Sequence, residues 1–411
     1  MIIKKIDKCR NCKSNKISKV LDLGSQALAN KFPKKINERV VVTPLTISIC
    51  NKCEFVQLLH NFNNIDMYNM GYGYESGINS TMKNHLSALT KKIQKLKELT
   101  NKNIVMDIAS NDGTLLNSYK GNIIKIGCDP ILNRFKKNYK NIDHKISNFF
   151  SYKVFSKLNL HKKVDVITAS AVFYDIDNPN QFLKDIKKIL DISGIFIMEQ
   201  SNLACMLKSN SFDTICQEHL GYYSTKVIKN MLKKNGLKIF NHEYTTINGG
   251  SSRYYITHEE NKKMKINIKN INKALKFEAE YKLGKIETYK KFEKKILKIK
   301  KLTMNKINKL LSLKKTIHGY GASTKGNVLL QYFNIDNNKI KYIADRNPFK
   351  YGKFTPSTKI KIISEKESRK KKPDFYFVLP WHFKKEILIR ETKIRKKGTK
   401  FIFPLPKLTI N

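Results

Sequence analysis

Four cysteines early in the sequence form two pairs, Cys9-x-x-Cys12 and Cys50-x-x-Cys53. Two thiolates that lie two residues apart on a tight turn can face one metal ion, and a second pair completes the tetrahedral ligand set of a structural zinc site. Disulfides explain the pattern less well, because the total of 7 cysteines is odd. Two unrelated surface pairs are the other alternative. We expect Cys9, Cys12, Cys50 and Cys53 to bind zinc.

A second motif, Asp107-Ile-Ala-Ser-Asn-Asp-Gly113, follows a short apolar run and predicts a turn between a strand and a helix. Small residues in such a turn let the backbone approach a ligand closely. Asp129 ends the next apolar run, where a carboxylate can bind ribose hydroxyls. The sequence has no G-x-G-x-x-G, which disfavours NAD, and the spacing suits S-adenosylmethionine as class I methyltransferases bind it. The predicted cofactor residues are Asp107, Ala109, Asn111, Gly113 and Asp129.

Asn148 and Phe149 come where a third strand of the same sheet would end, and they are candidates for the adenine contact. A helix N-cap followed by a core aromatic residue explains the same two residues equally well.

Glu218-His219 follows a strand that ends at Glu199-Gln200, so the pair is expected at the carboxyl edge of the sheet. A carboxylate beside an imidazole can orient it and tune its proton affinity, as a general base requires. A histidine with a purely structural role is the alternative. Tyr222, three residues further on, is a candidate substrate contact.

Two glycine-rich turns are candidate anion sites. Asn248-Gly-Gly-Ser-Ser-Arg253 places a guanidinium just after a tight turn, although an ordinary hairpin would look the same. Gly319-Tyr-Gly-Ala-Ser-Thr-Lys-Gly326 follows a strand and opens a helix, so Ser323, Lys325 and the backbone amides could hold a phosphate. The spacing is not that of a Walker loop.

The elements that must position these residues repeat a strand–helix alternation. Short apolar runs at residues 104–108, 123–127, 164–168 and 194–198 predict buried parallel strands of a doubly wound α/β sheet. A lysine-rich helical pattern covers residues 261–313, and a second alternation follows it. We predict a zinc-binding domain (1–70), a cofactor-binding α/β domain (71–260), a helical linker (261–313) and a smaller Rossmann-like domain (314–411).

The composition fits an enzyme better than a nucleic-acid-binding protein. The net charge is +47 over 411 residues, but it comes from lysine spread along the chain, and arginine, the preferred ligand of phosphates and base edges, is scarce. No apolar run is long enough for a membrane span. We therefore expect a cytoplasmic protein that binds neither nucleic acid nor membrane, whose charge attracts anionic substrates.

Taken together, the motifs resemble a known family, the S-adenosylmethionine-dependent C-methyltransferases of nucleotide-linked keto-deoxysugars. The resemblance is carried by the cysteine pairs, Leu21-Asp-Leu-Gly-Ser-Gln-Ala-Leu-Ala-Asn30, the turn after Asp107, Glu218-His219-Leu, both glycine-rich turns, Asp345-Arg-Asn-Pro348 and Leu379-Pro-Trp-His-Phe383. These motifs are collinear with the family and spread over all predicted domains. The fold implied is an N-terminal zinc domain, a central class I methyltransferase sheet and a C-terminal Rossmann-like domain.

The resemblance also implies a mechanism. His219 would remove a proton next to the sugar ketone, Glu218 would orient it or contact the sugar, and Tyr72 and Tyr74 would line the sugar site. Many members carry Tyr-His directly before Glu-His, whereas this chain has Cys216-Gln217, so a phenol is missing at that point. The expected partner is a nucleotide-linked keto sugar, and the expected assembly is a monomer or weak homodimer.

Three alternatives stay open at the level of sequence. The same scaffold could methylate an oxygen atom or another carbon acid of a sugar. The zinc module and the basic surface could belong to a nucleic-acid-binding protein. The predicted cofactor site could also be unable to bind S-adenosylmethionine, in which case the chain would be a scaffold protein.

Overall fold

The computed structural model describes residues 3–62, 67–68 and 72–411, so residues 63–66 and 69–71 of the tyrosine- and glycine-rich segment lie outside the described part. The described residues form sheets of four, seven and six strands and a two-stranded pair, β1 (Lys4–Lys5) with β5 (His60–Asn61). Among these residues no helix has both the length and the apolar character needed to cross a membrane.

The four-stranded sheet is antiparallel and carries the predicted zinc ligand Cys50 at the end of one strand, with Cys53 in the turn that follows. Its order is β11-β4-β3-β2, and its strands are β2 (Ile17–Ala27), β3 (Val42–Cys50), β4 (Val56–Leu58) and β11 (Gly221–Tyr222). The last strand comes from the middle of the chain and follows Glu218-His219 almost directly. The N-terminal sheet therefore holds the segment that contains the predicted base.

The seven-stranded sheet has the order β12-β13-β10-β9-β6-β7-β8, in which β13 runs antiparallel to both of its neighbours. This is the class I methyltransferase arrangement, as predicted. The order reverses at β6, which pairs with β7 on one side and β9 on the other, and ligands of α/β sheets bind at such a switch point. The strands are β6 (Ile104–Ile108), β7 (Ile124–Cys128), β8 (His144–Ile146), β9 (Val164–Ser170), β10 (Leu190–Ser201), β12 (Leu237–Thr245) and β13 (Ser251–His258).

Buried apolar strands and amphipathic helices explain why this sheet forms. All five residues of β6 are buried, which is typical of a parallel strand covered on both faces. The helix Pro179–Ile189 begins where the Asn178 side chain accepts a hydrogen bond from the Gln181 amide, and proline occupies its first turn. The helices of this part are α1 (Ser80–Leu96), α2 (Tyr152–Phe155), α3 (Pro179–Ile189), α4 (Leu203–Lys208) and α5 (Thr225–Lys234).

The predicted helical linker contains two helices, α6 (Ile268–Ala279) and α7 (Ile286–Ser312). Helix α6 packs on β12 of the seven-stranded sheet, whereas α7 packs on β2 of the N-terminal sheet. The linker therefore contacts the seven-stranded sheet through one helix and the N-terminal sheet through the other. The predicted domain boundaries remain a prediction.

The six-stranded sheet has the order β16-β15-β14-β17-β18-β19, with β14 to β18 parallel and β19 antiparallel. It is the predicted second, smaller Rossmann-like sheet, and one apolar core joins it to the N-terminal sheet. Its strands are β14 (Ile317–Tyr320), β15 (Tyr342–Asp345), β16 (Lys361–Ser364), β17 (Phe375–Val378), β18 (Lys400–Phe403) and β19 (Thr409–Ile410). Its helices are α8 (Thr324–Phe333), α9 (Glu365–Lys370), α10 (Lys384–Arg390) and α11 (Thr392–Lys396).

Candidate active site and metal centre

The four paired cysteines converge on one point. The sulfurs of Cys9 and Cys53 are 3.6 Å apart, those of Cys12 and Cys50 are 3.5 Å apart, and all four lie within 4.8 Å of one another. Zinc–sulfur bonds of about 2.3 Å place the corners of a tetrahedron about 3.8 Å apart. The arrangement therefore fits a zinc ion bound by four thiolates. Such a site leaves no coordination position for a substrate, which makes its role structural.

The two cysteine pairs lie in matching turns. The residue after each pair, Lys13 or Glu54, donates its amide to the carbonyl of the first cysteine at 2.9 Å and 2.8 Å. Both residues have a positive φ, 62° and 60°. The backbone thus folds the same way twice, which aims both pairs of sulfurs at a common centre.

The turn after β6 is strained in the way ligand-binding turns often are. Ala109 and Asn111 have φ values of 57° and 49° although neither is glycine, and Gly113 has a φ of 75°. A side chain at Gly113 would also approach the Tyr139 ring to 3.3 Å. The Tyr139 hydroxyl holds the turn by donating to the Asn111 carbonyl at 2.9 Å.

Two buried carboxylates flank this turn. Asp107 accepts a hydrogen bond of 2.6 Å from the Thr168 hydroxyl, and burial, with smaller contributions from Asp129 and Asp112, raises its pKa to about 7. Asp129 accepts the amide of Asn111 at 2.9 Å through one oxygen and that of Ile131 at 2.8 Å through the other. Asp129 therefore braces the turn in this structure.

The segment before α1 lies against the cofactor turn. The Asn111 side chain accepts the Ser76 amide at 2.9 Å and donates to the Tyr74 carbonyl at 3.2 Å. Asn148 is exposed, and its side chain accepts the amide of Phe149 at 2.7 Å. The half-buried Phe149 ring meets the Tyr68 ring edge-on at 6.4 Å. The structure thus brings the predicted adenine residues near the tyrosine-rich segment.

His219 is held in one tautomer. Its Nδ1 lies 2.6 Å from the carbonyl oxygen of Thr214, which can only accept, so Nδ1 carries the proton and Nε2 keeps its lone pair. The side chain is 7% exposed, and burial followed by the charge of Lys325 lowers its pKa to about 3. The imidazole is therefore neutral around pH 7. Glu218 shows the opposite effect, because burial raises the pKa of its carboxyl to about 7.

The two predicted tyrosines of the loop occupy different positions. Tyr72 is half-buried, and burial followed by the Glu218 and Asp175 carboxylates raises its pKa well above the usual value. Tyr74 is 47% exposed, and its carbonyl rather than its phenol contacts the cofactor turn. Tyr72 is the better placed of the two to meet a ligand near Glu218.

The predicted substrate residues divide into two groups. Tyr222 lines a narrow cavity together with His219. Lys325 donates to the Asn248 carbonyl at 3.0 Å and is close enough to His219 to lower its pKa, whereas the Ser323 hydroxyl caps helix α8 through the Gly326 amide at 3.0 Å. These residues bring the six-stranded sheet to the edge of the seven-stranded one.

Arg253 forms the second group alone, because its guanidinium is already paired. Its Nε lies 2.5 Å from a Glu199 oxygen, and its other nitrogens lie 3.6 Å from Glu243 and 3.1 Å from His85. The structure places this arginine in a buried ion-pair network between β10, β12, β13 and α1. Its role in anion binding remains a prediction.

Sequence reasoning missed several residues at this edge. Tyr174 packs on the His219 ring with 4.1 Å between ring centroids, and the Trp381 indole donates to Asp213 at 2.8 Å. Tyr174 comes directly after a central strand, which is the signal that could have identified it. Buried polar atoms without a partner occur in several parts of the described structure, and those near this edge belong to Asp175, Gln200, Ser201, Asp213, Glu218, Tyr222 and His382.

Comparison with known families agrees with this architecture. Three family models match in sequence order: a zinc binding domain over residues 9–68, a methyltransferase domain over 80–242, and a C-methyltransferase C-terminal domain over 246–406. The residues matched by the first model include all four cysteines of the metal centre. Zinc and S-adenosylmethionine are accordingly the metal and the cofactor of this protein.

Individual relatives were also found. The chain is 25% identical over 415 residues to the C-methyltransferase NovU of Streptomyces niveus. The alignment covers 99% of this chain and 97% of the relative. Solved structures overlap less well. An S-adenosylmethionine-dependent methyltransferase from Clostridium acetobutylicum ATCC 824 is 15% identical, with coverage of 43% of this chain and 92% of that one and a TM-score of 0.34. Magnesium protoporphyrin IX methyltransferase from Synechocystis PCC 6803 is 12% identical, with coverage of 44% and 88% and a TM-score of 0.33.

The strand order of the seven-stranded sheet and the matching family models define the fold of this protein. The centre formed by four cysteines precedes a class I methyltransferase sheet, whose strand ends carry the predicted cofactor and substrate residues. The six-stranded sheet places Lys325 near His219 at those strand ends. The order of these parts and the three matching domain models identify the chain as an S-adenosylmethionine-dependent methyltransferase that is similar to a C-methyltransferase.

Proposed function

We propose that this protein methylates a carbon atom of a nucleotide-linked keto-deoxysugar. The sugar class is supported by the family resemblance of the sequence motifs and by the polar side chains at the carboxyl edge of the seven-stranded sheet, around His219. Within the described part of the chain, several residues there carry buried polar atoms without a partner, which suits a hydroxylated ligand better than an apolar one.

The observation that carries the mechanism is the state of His219. A general base needs an accessible lone pair and a fixed orientation, and the Thr214 carbonyl supplies the orientation by binding Nδ1–H. Nε2 would accept the proton from the carbon next to the ketone. The electron pair of that C–H bond would enter the C–C–O system and give an enolate. S-adenosylmethionine supplies an electrophilic methyl group when it is bound.

Glu218 would stabilise the protonated base. Its carboxyl has one buried oxygen without a partner among the described residues, and its pKa of about 7 leaves it partly ionised at neutral pH. A negative charge next to His219 favours the imidazolium that forms when the proton is transferred. Tyr72, whose pKa responds to the same carboxylate, would contact the sugar from the opposite side, and Tyr74 would border the entrance.

The nucleotide part of the substrate would lie against the six-stranded sheet. Lys325 is a cation in the first turn of helix α8, where the helix dipole also favours an anion. Binding of a diphosphate there would offset the positive charge that lowers the pKa of His219, so substrate binding would strengthen the base. Ser323 and Tyr222 complete this proposed substrate set, with Arg253 as a more distant member.

The cofactor would lie over the turn after β6. Asp107, Ala109, Asn111, Gly113 and Asp129 form that turn and its carboxylate rim, and Asn148 with Phe149 borders it. We also expect the protein to act in the cytoplasm as a monomer or weak homodimer, without nucleic-acid or membrane partners.

Exchange of solvent deuterium into the sugar tests the proposal. The protein would be incubated in deuterated buffer with S-adenosylhomocysteine and a panel of dTDP-, GDP- and CDP-linked keto sugars, and label would be located by mass spectrometry and NMR. We expect His219→Gln to slow exchange by on the order of 10³-fold, within the usual contribution of a general base. His161→Gln, a change at an exposed histidine, is the matched control and should exchange like the wild type.

Two results would contradict the proposal. If the wild type forms a methylated sugar but never incorporates deuterium next to the ketone, the acceptor is an oxygen atom and no enolate forms. If His219→Gln exchanges at the wild-type rate, His219 is not the base.

A further inference from the structure

Tyr174 makes two contacts with the segment of the base. Its ring lies against the His219 imidazole with 4.1 Å between centroids and 52° between planes, and its backbone carbonyl accepts the Leu220 amide at 2.7 Å. The residue is 7% exposed and lines the same narrow cavity as His219 and Tyr222. It follows β9, the strand next to the switch point of the sheet, where reacting groups of α/β enzymes gather.

The residues directly before Glu218 cannot supply a phenol. Cys216 is fully buried, and its thiol is a weak hydrogen-bond donor. The Gln217 side chain faces the N-terminal sheet, where its amide nitrogen donates to the Gln26 carbonyl at 3.2 Å and to the Thr43 hydroxyl at 3.3 Å. A phenol that contacts the sugar would therefore come from another part of the structure.

We propose that Tyr174 supplies this phenol and donates its O–H hydrogen bond to the keto oxygen of the substrate during enolisation. The inference rests on the proposed function. In the step it assists, the proton leaves carbon for His219 Nε2, the C–H electron pair forms the C–C double bond, and the carbonyl oxygen gains the negative charge. Tyr174 keeps its proton and stabilises that charge, as oxyanion donors do in other enzymes.

The electrostatic surroundings support a donor rather than a base. Burial, followed by Asp175, Cys216, Tyr74 and Glu218, raises the pKa of Tyr174 well above its usual value. The phenol therefore stays protonated around pH 7.

Tyr174→Phe tests the inference, because it removes only the hydroxyl and keeps the ring on His219. We expect the rate of deuterium exchange, measured with S-adenosylhomocysteine and the accepted keto sugar, to fall by on the order of 10²-fold, as for loss of one oxyanion donor. The KM for the sugar should change by less than about threefold, because the bond strengthens only as charge develops. Tyr152→Phe, at a tyrosine that is 41% exposed, is the matched control and should behave like the wild type.

Tyr174→Leu separates the hydroxyl from the packing of the ring. It should lower exchange at least as much as the phenylalanine variant and should also reduce thermal stability, whereas Tyr174→Phe should melt within about 2 °C of the wild type. Exchange at the wild-type rate in Tyr174→Phe would overturn the inference. That result is distinct from failure of the proposed function, in which the wild type itself would not exchange or His219→Gln would exchange normally.

Discussion

Thr168→Val should destabilise the protein in a manner that depends on pH. The Thr168 hydroxyl, 1% exposed, donates to Asp107 at 2.6 Å, so valine removes one hydrogen bond at nearly constant volume. Hydrogen bonds to ionised groups are worth about 1.5–3 kcal/mol and those between neutral groups about 1 kcal/mol. The loss therefore depends on whether Asp107 carries its charge.

The raised pKa of Asp107 determines whether folding stability rises or falls with pH. Burial raises the pKa of Asp107 in the folded state to about 7, compared with 3.8 in the unfolded chain. The folded state then holds an extra proton between these values, and the wild-type protein loses stability as pH rises from about 4 to about 7. Valine removes a bond that favours the ionised carboxyl, so the pKa rises further and the loss of stability extends to higher pH.

We expect Thr168→Val to cost about 1 kcal/mol near pH 5.5 and about 2 kcal/mol near pH 8.5, measured by urea denaturation of the unliganded protein. Thr257→Val is the matched control, because this fully buried hydroxyl donates to the neutral Gly194 carbonyl at 2.9 Å. Its cost should not vary with pH. Equal costs for Thr168→Val at both pH values would refute the view that Asp107 titrates in the folded state near neutrality.

Three further results are expected. Removal of zinc by a chelator, or Cys53→Ser, should abolish the stoichiometric zinc measured by elemental analysis and slow deuterium exchange, because β4 beside the zinc site pairs with β11 next to His219; normal exchange in a zinc-free protein would contradict this coupling. The rate of deuterium exchange should rise through about pH 7 as Glu218 ionises, and Glu218→Gln should make the rate independent of pH in this range. If the rate of the variant still rises near pH 7, a titratable group other than Glu218 is responsible. Trp381→Phe leaves the buried Asp213 oxygen without its 2.8 Å donor, so thermal and chemical denaturation should show a loss of about 1–3 kcal/mol, and an unchanged midpoint would show that the bond does not form in solution.

Much of the architecture could be predicted because its signals are local. The strands of the central sheet are short runs of apolar residues, and a buried parallel strand needs that composition irrespective of its neighbours. The turn from Asp107 to Gly113 was recognisable from small residues at a strand end.

The details of the site were less predictable because they depend on contacts between distant residues. The turn that contains Arg253 gave no sign of its ion pair with Glu199, which faces it across the paired strands β10 and β13. Tyr174 carried no motif, and only its packing on His219 shows its proximity to the base.

The sequence alone determined the kind of chemistry. Each cysteine pair at its fixed spacing indicates thiolate ligands for a metal, and an acidic turn after an apolar run indicates a cofactor site, because both signals depend on residues close together in the chain. The convergence of the two pairs on one centre depends on the fold. Tertiary structure decided how the segment around His219 is held. The Leu220 amide donates to the Tyr174 carbonyl, and the Leu220 carbonyl accepts from the Leu58 amide. Those bonds join three distant parts of the chain, and their geometry exists only after the sheets have packed.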